Sequence, residues 1–396
     1  MTRLVATAAL LLAACFNPTY HDPMCGPQGE CPNGLVCVAG TCLSSAPMDD
    51  AAVDVAQTCV GSGVWQLCIV GAPPSAAVTL GGTINTDTST SCASNGAWTS
   101  ASQPAACVIA GTSIDVSTNT TATGTKPLVL FSTSTIQLAS GVTLDVASHR
   151  VGTTGAGAHA AGCDAFPQAP MDSTSGAGGA GGGSFMSGAG DGGAGGRGAT
   201  AGHAAPADTV APTILRGGCH GQTGGTAGAG SAGPPGSGGG TVFLVASTSL
   251  SLLGTINASG AGGGGGLSLG GGGGGGSGGM IVLAAPSIMA TNAKIIANGG
   301  GGGGGGGASN GSPGFDPSTL TPTTAAQGGN GGSGNGCAGN GRGGAGAAST
   351  VAAADGEAGA MNNTCGGGGG GGAVGYIQSN VAIGGATVSP SLTVIP

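Results

Sequence analysis

The chain of 396 residues contains 93 glycines and 21 prolines, yet 39% of it is hydrophobic and only 6% is charged. Glycine and proline at that level normally mark low-complexity chain, but an apolar, charge-poor composition is the reverse of charge-driven disorder, so a core of Val, Leu, Ile and Ala is expected. A net charge of −8 with only seven Lys and Arg leaves no electrostatic footprint for nucleic acid, and that class of partner is excluded.

In chain order, Met1-Thr2-Arg3 and the apolar run from Leu4 to Leu12 read as a leader, too short to cross a bilayer as a permanent helix. The leader ends in Leu12-Ala13-Ala14-Cys15, which resembles the bacterial lipobox. That resemblance implies a signal peptide at 1–14, an acylated Cys15 carrying palmitate-type chains, and a membrane as partner through those chains. Phe16 rather than Asp follows, so the inner-membrane retention signal of enterobacteria is absent. The expected location is the cell envelope, at the outer membrane or cell surface. Setting Cys15 aside leaves twelve of 13 cysteines, an even number that suits a disulfide framework in an oxidising compartment.

Residues 15–44 form a small module around Cys25, Cys31, Cys37 and Cys42, too short to hold a core without disulfides. Its Cys25-Gly26 and Cys31-Pro32-Asn33 pieces resemble hevein-type chitin-binding modules, but the adjacent cysteine pair and the sugar-stacking aromatics of those modules are missing. A stapled spacer is the expectation. Residues 45–57 are small and acidic, with Asp49, Asp50 and Asp54, and read as a solvated tether. Residues 58–108 carry Cys59, Cys68, Cys92 and Cys107 among short alternating stretches. The spacings from Cys59 to Cys68 and from Cys92 to Cys107 are ones a local hairpin can close, and the region reads as a cap over the open end of a repeat.

Residues 109–396 repeat one pattern. Val242 to Ala246, Leu250 to Leu252 and Gly254 to Gly260 are echoed by Ile281 to Ala285, Ile288 to Ala290 and Lys294 to Gly299. An earlier copy is Leu128 to Phe131, Ile136 to Leu138 and Val142 to Val146; a weaker one runs from Val374 to Gln378 and ends at Ala386 to Pro390. Three short β-rich segments per copy are what one coil of a parallel β-solenoid needs, because each coil buries its apolar face only by stacking on the next. The first segment of each copy is apolar on both faces, so material must cover its outer side. The glycine-rich sequence is the expected cover, running as polyproline-II strands. The fold class expected is therefore all-β, a parallel β-solenoid (β-helix-like) with glycine-rich insertions that are polyproline-II-like or disordered, preceded by the disulfide-rich module. Cys163 and Cys219 near the ends of the first insertion, and Cys337 and Cys365 before the last run, favour insertions folded onto the body.

Chemistry is sparse. Matches to the glycine-rich phosphate fingerprint arise automatically from glycine runs and none lies between a strand and a helix. Calcium-binding glycine nonapeptides need repeated acids, whereas Asp191 and Asp316 stand alone among the glycines. His159, Cys163, Cys219 and His220 offer a two-nitrogen, two-sulfur metal set, but cysteines of an oxidising compartment pair instead, so no metal site and no cofactor is expected. Asp115, Asp145, His149 and Arg150 are the only close polar group of a kind a polysaccharide lyase uses; a polar turn at a coil edge is the expected role, and no catalytic residue is assigned.

Lipobox, cysteine module and β-coils with polyglycine insertions together resemble uncharacterised surface lipoproteins of myxobacteria and related bacteria. The glycine-rich part is similar to mycobacterial glycine-rich surface repeats and to glycine-rich antifreeze bundles. The resemblance implies surface exposure and no known reaction. The expected role is structural, adhesive or matrix-forming, with extracellular polysaccharide or other surface proteins as partners; the alternative is a polysaccharide-binding or polysaccharide-cleaving protein.

Overall fold

The computed structural model describes residues 24–28, 30–31, 35–38, 40–43, 56–159, 163–208, 210–228, 231–334, 336–360 and 364–395. The leader, Cys15 and nearly all of the 45–57 tether lie outside the described residues. Two units are present, residues 1–56 and 57–396. Among the described residues the chain is nearly all β, with two 3-10 turns and no α-helix. In the first unit, β1 (Val36–Val38) and β2 (Thr41–Leu43) pair antiparallel, and the disulfides Cys25–Cys37 and Cys31–Cys42 tie the preceding loop to them.

The second unit begins with β3 (Gln57–Val60), β4 (Leu67–Val70), β5 (Val78–Asn85) and β6 (Gly96–Trp98). Successive turns of chain then supply β7 (Cys107–Gly111) and β8 (Ile114–Thr123); β9 (Leu128–Ser132), β10 (Thr135–Leu138) and β11 (Thr143–Asp145); and β12 (Thr241–Ala246), β13 (Ser249–Leu252) and β14 (Thr255–Asn257). After them come β15 (Met280–Ala284), β16 (Ser287–Met289) and β17 (Lys294–Ile296), a short hairpin of β18 (Ser333–Gly334) and β19 (Cys337–Ala338), then β20 (Tyr376–Ser379), β21 (Thr387–Ser389) and β22 (Leu392–Val394).

Two parallel sheets organise these strands. One has the order β22-β20-β15-β12-β9-β7, and the other runs β16-β13-β10-β8-β11-β14-β17-β21 with β5 on β8. The registers match like residues: Ile109, Leu130, Leu244 and Leu283 stand in one ladder. Ile114, Ile136, Leu250 and Ile288 form a second, and Leu144, Ile256, Ile295 and Val388 a third. All three ladders meet in one core. Each internal copy read from the sequence supplies one rung to every ladder, except the last, whose middle segment forms no strand.

The opposite face of the six-stranded sheet departs from expectation. Val108, Val129, Phe243 and Val282 lie in register there, and they pack against Leu67, Ile69, Trp65 and Trp98 of the preceding segment together with Phe185 and Leu215. Trp98 stacks on Phe243 with ring centroids 5.9 Å apart, and Trp65 meets the same ring at 6.1 Å. The antiparallel sheet β3-β4-β6 thus shares the cover with Phe185 and Leu215 of the first insertion, where glycine-rich chain alone was expected. The physical reason is bulk: large side chains on this face leave gaps that bare backbone cannot fill. The 58–108 segment therefore acts along the flank as well as at the end, where β5 pairs only with β8, and the boundary at 108/109 falls within β7.

The glycine runs are ordered by backbone hydrogen bonds with a period of three. Along 270–279, Gly273, Gly276 and Gly279 donate to Gly264, Ala261 and Ala258. Gly271, Gly274 and Ser277 donate to Gly225, Gln222 and Cys219, while Gly272, Gly275 and Gly278 donate to Gly367, Gly370 and Ala373. Three further segments donate into residues 269–277: Gly300, Gly303 and Gly306; Gly233, Gly236 and Gly239; and Ala177, Ala180 and Gly183. Six neighbours therefore surround one chain. Three residues per turn is the period of a polyproline-II helix, which makes no hydrogen bonds within itself and must send them outward. Side chains have no room: a Cβ on Gly273, Gly274 or Gly275 would lie 2.0 to 2.1 Å from a carbonyl oxygen of a neighbour. These hairpins of chain leave after one sheet's strand and return into the other's, as 258–279 does between β14 and β15. The hydrogen bonding is continuous with the sheets, since Ala258 N–H donates to Ile296 and Met280 N–H to Gly240.

Candidate functional site

All twelve described cysteines are in disulfides: beside the two in the first unit, Cys59–Cys68, Cys92–Cys107, Cys163–Cys219 and Cys337–Cys365. The sulfurs of Cys25, Cys31 and Cys42 cluster closely, but as disulfide sulfurs they offer no thiolate to a metal. The same holds for Cys163 and Cys219, which removes two ligands from the four-residue set that the sequence suggested. Of the other two, His220 holds Asp164 through Nε2 at 2.7 Å and the Gly221 carbonyl through Nδ1 at 2.6 Å. His159 lies with its ring centroid 5.2 Å from that of His220; burial, then the neighbouring His220, pushes its pKa down.

The polar group of Asp115, Asp145, His149 and Arg150 is assembled differently from its sequence spacing. Asp145 and His149 do meet, with His149 Nε2 2.9 Å from Asp145 Oδ2. The third member is Asp316, far along the chain, whose Oδ2 lies 3.8 Å from His149 Nδ1. Asp316 also accepts the N–H of Gly262 at 2.8 Å and that of Arg150 at 3.1 Å. Arg150 enters through its backbone, and among the described residues its guanidinium makes no ion pair. Asp115 stands elsewhere, between Thr79 and Gln137 on another ladder. Hydrogen bonds to Asp145 and then Asp316 raise the His149 pKa to about 10 against the opposing effect of burial. Burial pushes Asp316 up, but His149 and the two backbone N–H groups outweigh it and hold the carboxyl below its ordinary value. A general base needs a pKa near the working pH. A histidine held as imidazolium between two carboxylates is instead a clasp, here joining β11 to the glycine-rich chains. A cavity of about 270 Å³ beside it is lined by His149, Arg150, Pro234 and Gly262.

A larger groove, about 490 Å³, opens on the outer face of the six-stranded sheet. It lies where the cover of β3 and the Gly63–Trp65 turn gives way to Val282, Ala284, Gln378 and Asn380. Among the described residues its walls carry no charged side chain. Gln378 is opposite Val282 in the ladder and 2% exposed, yet its Oε1 has no hydrogen-bond partner. Neither Gln378 nor Trp65 was singled out from sequence; a lone polar residue in the outward phase of an apolar ladder was the available signal. Comparison with protein-family models, curated proteins and solved structures returns no match.

Proposed function

We propose that this is a lipid-anchored protein of the bacterial cell surface with a structural or adhesive role, in which residues 57–396 form a parallel β-solenoid flanked by a bundle of polyproline-II-like glycine chains. The solenoid reading is supported by three ladders whose strands stack in sequence order and in matched register. The observation that carries the functional reading is the glycine bundle itself. A chain that satisfies its backbone through six neighbours, braced by disulfides, is suited to bearing load and resisting proteolysis outside the cell. Several ionisable side chains meanwhile hold segments together, as His149 does with Asp145 and Asp316. Acyl chains on Cys15 would supply the membrane attachment.

The test is Cys15→Ser in the native host, followed by fractionation and a cell-adhesion assay. Release from the membrane with loss of adhesion is expected. A variant that stays membrane-bound with unchanged lipid mass refutes the anchor, and release of sugar products by the purified protein would put the polysaccharide-cleaving alternative in its place.

A further inference from the structure

We infer that the groove between Trp65 and Gln378 binds a neutral carbohydrate segment. The argument begins with the ladder. On the outer face Val108, Val129, Phe243 and Val282 precede Gln378 in register, and each apolar member fits a role in packing alone. Gln378 does not. A buried amide carbonyl without a partner costs about 1–3 kcal/mol, and this one has none. Arg216 Nε, Thr241 Oγ1 and Tyr376 Oη also lack partners, but of the four only Gln378 lines the groove, and a donor brought from outside is one reason for such an exception.

The surroundings define what would bring it. The groove's volume of about 490 Å³ is within the range of small-ligand sites, roughly 300–1,000 Å³. Its described lining is uncharged, with Ser62, Ser247 and Asn380 among its polar members, so neither an acidic nor a basic ligand finds a counter-charge among the described residues. Trp65 lies on one side as a large flat apolar surface with a polar edge. The Trp98 indole N–H is consumed by the Pro104 carbonyl at 3.1 Å, whereas that of Trp65 makes no hydrogen bond among the described residues. A flat apolar ring, a free indole N–H, hydroxyls and an unpaired amide match a ligand with C–H faces and many hydroxyl donors and no charge. The inference gives the adhesive reading a ligand class, and it rests on that reading only for its biological setting.

The test uses the full-length protein on an array of neutral, acidic and basic glycans with apolar peptides alongside, followed by calorimetric titration of the best binder. The expected result is binding of neutral glycans with a change in tryptophan emission. Trp65→Ala and Gln378→Leu should each weaken it at least about tenfold, equivalent to about 1.4 kcal/mol. Gln378→Leu should in addition raise the unfolding midpoint of the unliganded protein, which shows that its loss of binding is not loss of fold. No neutral glycan bound, preference for charged glycans or peptides, or undiminished affinity in Gln378→Leu would each overturn the inference. Adhesion that survives Gln378→Leu while glycan binding is lost would support this site and overturn its part in the adhesive role.

Discussion

Replacing Gly273 by alanine places one methyl group in the most crowded part of the glycine bundle. The new Cβ would lie 2.0 Å from the Pro234 carbonyl oxygen, against an ordinary contact of at least 3.4 Å, so the 233–236 chain must retreat by about 1.4 Å. That carbonyl also accepts the Gly264 N–H at 2.8 Å, and the retreat stretches this bond. Overpacking costs about 1–3 kcal/mol and a weakened hydrogen bond about 1 kcal/mol, giving about 3 kcal/mol together. An unfolding entropy of about 2.1 cal/mol/K per residue over residues 57–396 comes to about 0.7 kcal/mol/K, so the midpoint should fall by about 4 °C. The control is Gly188→Ala, whose Cβ meets nothing within 4 Å; it should leave the midpoint unchanged or raise it slightly by restricting the unfolded chain. Scanning calorimetry of the two variants beside the parent decides the matter. Equal midpoints for Gly273→Ala and the parent, or an equal fall in Gly188→Ala, would refute the packed-bundle argument.

Val282→Asp should be far more damaging, because Val282 is 1% exposed and an unpaired buried carboxylate is among the costliest point changes; the yield of folded protein should collapse, and recovery at parental levels would contradict the buried outer face. Removing Cys163–Cys219, which spans 56 residues, should cost about 4 kcal/mol on the chain-entropy account, read as a lower denaturation midpoint of Cys163→Ser/Cys219→Ser. For the clasp, His149 is raised from 6.5 to about 10, so its contribution is complete below pH 6.5 and fades as pH rises towards 10. His149→Asn should flatten the stability profile across that window, and a profile that keeps the parental slope would show that the clasp contributes nothing.

The parallel β-strands were legible because apolar residues recur in matched triplets. Aligning Val242 with Ile281 and Leu250 with Ile288 in the sequence reproduces the observed registers. Strand β22 was missed, since Leu392 to Val394 lies beyond the last recognisable copy and carries no pattern of its own. The cover of the outer face was misread for a different reason. Trp65, Trp98 and Phe243 come together only through the antiparallel β3-β4-β6 sheet, and no local spacing announces a contact across that distance in sequence. Asp316 posed the same problem: one acid among glycines looks solvated until the fold sets it against His149.

Glycine content itself carries more information than its low complexity suggests, because a chain's composition follows the number of its neighbours. The 270–279 run has six neighbours and admits only glycine and Ser277. The 354–359 segment is bonded to three, along 342–345, 191–194 and 368–371, and there Asp355 and Glu357 are exposed. Two of its three helical phases are still engaged, through Ala354 and Glu357 on one side and Gly356 and Gly359 on another, while Asp355 and Ala358 in the third donate no backbone bond. With three residues per turn, a face turned to solvent frees one or two positions in three for side chains; in 354–359 only the phase of Gly356 and Gly359 is blocked, by the carbonyls of Gly368 and Cys365. A glycine run interrupted every third residue by a polar group therefore marks an outer chain, and an uninterrupted one marks the centre. Read this way, the surface that the bundle shows to its surroundings is written in the interruptions, such as Asp191, Arg342, Asp355 and Glu357.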